Sequence, residues 1–166
     1  KKKKITTHRL HMQNPSSPRI ILASTSRYRQ GLLDRFLNDY ETVSPDVDET
    51  ALPGEAPEEV ATRLARTKAE SVSSKNRDAL IIGADQLAVL DGQILGKPGD
   101  HQRAVEQLLA ASGKKVRFLT AVCVLDPVSR RRLEHMDQTR VTFRQFDRRL
   151  ADAYLHHDQP YDCAGS

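Results

Sequence analysis

The 166-residue sequence predicts an α/β fold, because short apolar runs that read as strands alternate with stretches of helical periodicity. Arg19-Ile20-Ile21-Leu22-Ala23 leads through the hydroxyls of Ser24-Thr25-Ser26 into residues 27–37, which place Leu32, Leu33, Phe36 and Leu37 on one helical stripe. A second apolar run, Ala79-Leu80-Ile81-Ile82-Gly83-Ala84, stops at Asp85 and puts a carboxylate at a strand tip. A later pair, residues 116–125 and 133–146, reads as antiparallel partners turned at Asp126-Pro127.

The remaining elements follow in order. Residues 40–44 are strand-like, and Pro45-Asp46-Val47-Asp48-Glu49 gathers three acids in a loop. Pro57 opens a helix at a favoured first-turn position, with Glu58 and Glu59 at the positive end of its dipole. Val60, Leu64 and Val72 form its stripe, with Ala61, Ala65 and Ala69 beside them, and Lys68 rides between the two sets. The chain continues from Asp85 through Leu87-Ala88-Val89-Leu90 to Asp91-Gly92, a hairpin signal, and returns as Gln93-Ile94-Leu95 before Gly96-Lys97-Pro98. A helix over 100–111 buries Ala104, Val105, Leu108 and Leu109 and ends at Ser112-Gly113. A last helix spans 147–157 and precedes Tyr161-Asp162-Cys163-Ala164-Gly165-Ser166.

Length and composition bound the class. The chain suffices for one domain, with 38% hydrophobic and 29% charged residues. No apolar stretch approaches the ~20 residues of a membrane helix, and no apolar block follows Lys1 to Lys4 to make a signal peptide. Cys123 and Cys163 lack metal or disulfide spacing, which suggests a reducing, cytoplasmic setting. The net charge of +4 is unevenly placed: residues 1–18 hold five basic residues and no acid, leaving 21 basic against 22 acidic in the remainder. Residues 1–18 are therefore expected to be a disordered basic tail and 19–166 the folded domain, with nucleic-acid binding disfavoured for the body.

Chemistry is sought where charged side chains converge. Ser24-Thr25-Ser26 either caps a helix or helps aim backbone N–H groups at an anion. Asp85 either caps a turn or stands where a ligand gathers beyond the strand ends of an open sheet. Arg29, Lys68 and Lys97 sit near element ends, and their convergence with Asp85 and the Asp48-Glu49 loop would suit a polyphosphate with a divalent metal. The six histidines form no metal-ligand pattern, and neither GxGxxG nor GxxxxGK[ST] is present.

Taken together, Leu22-Ala23-Ser24-Thr25-Ser26-Arg27-Tyr28-Arg29, Val47-Asp48-Glu49, Leu64-Ala65-Arg66-Thr67-Lys68-Ala69, Ile82-Gly83-Ala84-Asp85-Gln86, Gly96-Lys97-Pro98 and Asp162-Cys163-Ala164-Gly165-Ser166 resemble, in order and spacing, the Maf family of nucleotide pyrophosphatases. The resemblance implies an elongated mixed β-sheet bent around a cleft with flanking helices, as in ITPase-like proteins. It implies hydrolysis of a nucleoside triphosphate to the monophosphate and diphosphate with Mg2+ or Mn2+, generally in a homodimer. Carried over by position, Asp85 is the proton acceptor or a metal ligand, Ser24, Arg29, Lys68 and Lys97 handle phosphate, and Glu49 holds the metal. Asp85-Gln86 and the Cys-Ala-Gly-Ser segment resemble the branch acting on 7-methyl-GTP, with Tyr28 and Gln86 as base-reading residues. The branch acting on dTTP and UTP, which usually has two arginines where this chain has Tyr28-Arg29, and a nucleotide-binding regulator without turnover are the alternatives. Arg27 replaces a common proline. The family pattern continues beyond Ser166 with a Phe-Lys-x-Glu segment, so the domain is expected to lack its C-terminal end.

Overall fold

The computed structural model describes residues 18–165, and the tail expected over 1–18 lies, Pro18 apart, outside the described residues. Ten elements follow one another: β1 (Arg19–Ala23), α1 (Arg27–Leu33), β2 (Glu41–Thr42), α2 (Pro57–Ser73), β3 (Ala79–Leu90), β4 (Gln93–Leu95), α3 (His101–Ala111), β5 (Lys115–Leu125), β6 (Arg132–Thr142) and α4 (Arg148–Asp158). The strands form one mixed sheet in the order β2-β1-β3-β5-β6, with β4 also pairing to β3. β1 runs parallel to β2 and β3, whereas β3–β4, β3–β5 and β5–β6 are antiparallel.

Strand alternation divides the core between two faces of the sheet. Odd-numbered Ile81 and Val89 of β3 and Leu119, Ala121, Cys123 and Leu125 of β5 join the cluster built on Ala61, Ala65, Ala69 and Val72 of α2. Even-numbered Ala88, Leu90 and Val116 pack with Ala111 of α3, and α3 in turn packs on α4 through Ala104, Val105, Leu108, Ala151 and Leu155. Between these helical covers the even face around Ile82, Ala84, Gln86, Thr120 and Val122 floors an open groove.

β3 is central to the site. Its Gly83 stands against α2 so closely that an added Cβ would fall 2.1 Å from the Ala65 carbonyl oxygen. The alanines of α2 and the missing side chain of Gly83 let helix and strand approach to backbone contact. Asp85 lies two residues on, on the same face as Gly83, and Lys68 lies three residues beyond Ala65 on the same helix face, so the close approach brings the two charged groups together.

Three sequence expectations need correction. Asp85 is not at the tip of its own strand: β3 runs unbroken from Ala79 to Leu90. The strand that does end there is β1, whose pairing with β3 stops at Ala23 opposite Gly83, while β4 pairs only with residues 88–90. Because β5 flanks β3 over residues 81–90, β1 and β4 share the opposite flank and leave residues 84–87 unpaired on it. The expected helix over 27–37 stops at Leu33 and buries nothing; Leu32, Leu33 and Phe36 of its apolar stripe line the groove instead, with Phe36 80% exposed. The strand expected over 40–44 contracts to Glu41–Thr42, because β1 offers partners only at Ile21 and Leu22.

Candidate functional site

The open edge of β3 gives the site its position. Asp85 and Gln86 project to opposite faces of one strand, and a groove of about 1410 Å³ reaches both by crossing the unpaired edge. All eight residues named from the sequence line it: Ser24, Tyr28, Arg29, Glu49, Lys68, Asp85, Gln86 and Lys97.

On the α2 face the groove holds an ion cluster built on the buried pair Lys68 and Asp85. Lys68 is 4% exposed, and its Nζ donates to Asp85 Oδ1 at 2.6 Å and reaches Glu49 Oε1 at 2.7 Å. Arg29 stands 3.9 Å from the same Asp85 oxygen and donates to Ser24 Oγ at 3.3 Å. Ser24, 3% exposed, also accepts from the Ser26 N–H at 3.1 Å, and Ser26 caps α1 by accepting from the Arg29 N–H at 3.4 Å. Of the two roles left open by the sequence the structure shows the cap, at Ser26, while Ser24 holds the Arg29 guanidinium. Of the three loop acids only Glu49 joins the cluster; Asp48 turns back to accept from the Thr50 N–H at 2.9 Å.

The cluster's electrostatics separate its two carboxylates. Burial pushes the Asp85 pKa above the usual aspartate range, opposed by the Lys68 hydrogen bond and by the charges of Lys68 and Arg29. Half-exposed Glu49 goes the other way: burial raises it, but the Lys68 hydrogen bond and the charges of Lys68, Lys97 and Arg29 outweigh that and hold it below the usual glutamate range. The two neighbouring carboxyls are thus shifted in opposite directions, Asp85 up and Glu49 down. Asp85 Oδ2 is buried and has no hydrogen-bond partner among the described residues, which leaves the oxygen not held by Lys68 able to accept.

On the other face, Gln86 Nε2 donates to Thr120 Oγ1 at 2.9 Å, its cross-strand partner. That fixes the amide and leaves Oε1 as an acceptor. Thr120 carries no signal in the sequence, because only the β3–β5 register puts it opposite Gln86. Tyr28 at the mouth of the groove carries the Arg27 guanidinium 5.0 Å above one ring face, and its hydroxyl accepts from Arg27 at 3.0 Å. The Tyr161–Ala164 segment forms the facing wall. Among the described residues no group of three or more His, Cys, Asp or Glu side chains is close enough to cage a metal.

Residues 19–166 match the family model described as Maf-like protein. A 7-methyl-GTP pyrophosphatase of Nitrosococcus oceani is 46% identical over 157 residues, spanning 95% of this chain and 79% of its own length. A protein of the same name from Xanthomonas axonopodis pv. citri is 51% identical over 149 residues, or 90% of this chain and 77% of its own. Among solved structures, the Ham1 protein of Staphylococcus aureus superposes with a TM-score of 0.53 over 75% of this chain and 71% of its own; at 18% identity this is a likeness of fold.

Proposed function

This chain belongs to the Maf family, and we propose that it hydrolyses 7-methyl-GTP to 7-methyl-GMP and diphosphate. The observation that carries the chemistry is the buried Lys68 bridging Asp85 and Glu49 at 2.6 and 2.7 Å beside Arg29, at an edge where the groove opens. The observation that carries the substrate is the identity of 46–51% to relatives named for it.

In this reading the triphosphate lies along the β3 edge, between Arg29 with its Ser24 support and Lys97. Asp85 Oδ2 takes the proton of the attacking water, the new oxygen–phosphorus bond forms, and the bridging bond to the leaving diphosphate breaks. Lys68 holds the other oxygen of Asp85 and keeps the carboxyl aimed. Glu49, beside Asp85, is the hard oxygen donor that would hold Mg2+ or Mn2+ there. Such an ion would neutralise charge on the phosphates. The base crosses to the opposite face, where Gln86 Oε1 accepts from the guanine N–H edge. The cationic 7-methylguanine ring lies against the free face of Tyr28.

Two expected outcomes test this reading. In a panel of triphosphates, 7-methyl-GTP is turned over with the highest kcat/KM, and Gln86→Thr combined with Tyr28→Arg lowers its advantage over dTTP and UTP by about tenfold or more. Preference of the wild type for dTTP or UTP moves the chain to the other branch, and tight binding without product makes it a regulator. The second outcome concerns pH. Turnover needs Asp85 ionised, so activity falls as pH drops through an Asp85 pKa that lies above the ordinary value of about 3.9. Lys68→Met removes the hydrogen bond and charge that favour the ionised form, so the acid limb of kcat moves to higher pH. A limb that stays in place or moves down contradicts the pairing.

A further inference from the structure

The residues around Lys97 are held at several points, while Lys97 itself lines the groove. The Gly96 carbonyl accepts from Gln107 Nε2 at 2.9 Å, and Pro98 is fully buried. Gly99 adopts a left-handed φ of 75°, which suits glycine, and its N–H donates to the Tyr161 carbonyl at 3.1 Å. His101, the first residue of α3, completes the anchorage. Its Nε2 lies 2.9 Å from Asp152 Oδ1 of α4, its Nδ1 lies 3.0 Å from the Tyr161 hydroxyl, and its ring stacks on His156 with centroids 4.7 Å apart. The Tyr161 hydroxyl in turn donates to the Leu155 carbonyl at 3.3 Å. None of His101, Asp152 and His156 lines the groove, so their effect on chemistry must pass through the loop they hold.

We propose that His101, clamped between Asp152 and Tyr161, is a positioning residue that fixes the Lys97 loop against the Tyr161–Ala164 wall, so that the lysine meets the phosphates of the substrate. This rests on the reading of Lys97 as a phosphate-handling residue. A lysine contributes to binding only if the backbone beneath it holds still, and His101 adds a side-chain anchor to the backbone ones. The pinned atoms belong to α3, α4 and the Tyr161 segment, so the clamp also ties the two groove walls to each other.

The test is a double-mutant cycle on KM for 7-methyl-GTP with His101→Ala and Lys97→Ala. In the wild-type background His101→Ala raises KM about tenfold, the scale of one misplaced charge-assisted contact. In the Lys97→Ala background it raises KM no further, because the group it positions is gone. An equal fold-loss in both backgrounds, or an unchanged KM for His101→Ala alone, overturns the proposal. Should His101→Ala fail to fold, Tyr161→Phe, which keeps the packed ring and removes the hydroxyl, enters the cycle in its place and is judged by the same outcomes. Should the wild type not turn over 7-methyl-GTP, the proposed activity fails, and the cycle is read on the calorimetric Kd for that nucleotide, where coupling or its absence decides the clamp separately.

Discussion

Asp85→Asn is expected to lower kcat for 7-methyl-GTP by about 10²–10⁴-fold, the contribution of a positioned general base. The variant separates chemistry from structure. An amide has the shape of the carboxyl, its oxygen still accepts from Lys68, and Lys68 keeps Glu49 at 2.7 Å. Burial raises the Asp85 pKa, and a carboxyl whose folded pKa exceeds its unfolded value costs stability once the pH is above both. Neutral Asn removes that cost, which offsets the lost Lys68 ion pair and the amide N–H placed where Oδ2 had no partner, so Tm changes far less than turnover. Nucleotide affinity should also hold, because a negative charge facing the phosphates has gone. A variant that keeps its rate removes Asp85 from the reaction, and one that loses its Tm along with its rate makes the residue structural.

Gly83→Ala is expected to have the largest effect on stability. Its Cβ would lie 2.1 Å from the Ala65 carbonyl oxygen, 2.8 Å from the Ala69 nitrogen and 2.9 Å from the Ala69 Cβ. Two of those atoms are helix backbone, which cannot swing aside as a side chain can, so α2 must lift from the sheet. Overpacking of this kind costs about 3 kcal/mol, the upper end of the usual range, and lowers Tm by roughly 6–12 °C for a domain of this size. Lifting α2 also pulls Lys68 away from Asp85, so folded Gly83→Ala loses activity as well. Thermal unfolding read beside kcat checks both parts, and an unchanged Tm would mean that helix and strand are not in contact at Gly83.

The element order was readable because each helix carries its own apolar stripe and each strand its own run, signals local to ten or fifteen residues. The position of Asp85 was not. Whether a strand ends depends on partners far along the chain, and β3 outlasts β1 because β4 and β5 continue to pair with it. Periodicity likewise showed that Leu32, Leu33 and Phe36 share a face, but not that the face would line a groove instead of a core. Lys68 was legible as an anomaly, a charged residue among alanines on a buried stripe, and the structure explains it through Asp85 and Glu49. Thr120 and the clamp at His101 carried no sequence signal, since a threonine in a strand and a histidine at a helix start are ordinary in both places. What joins them to the site is tertiary: one strand register and the packing of α4 on α3.

The central claim is that a triphosphate laid across the open edge of β3 is cut to release diphosphate. Phosphorus NMR of the products, with 7-methyl-GTP and Mg2+ as the only additions, tests it most directly. The account predicts 7-methyl-GMP and diphosphate in equal amounts, with no orthophosphate; release of orthophosphate with 7-methyl-GDP, or an unaltered triphosphate spectrum, would contradict it.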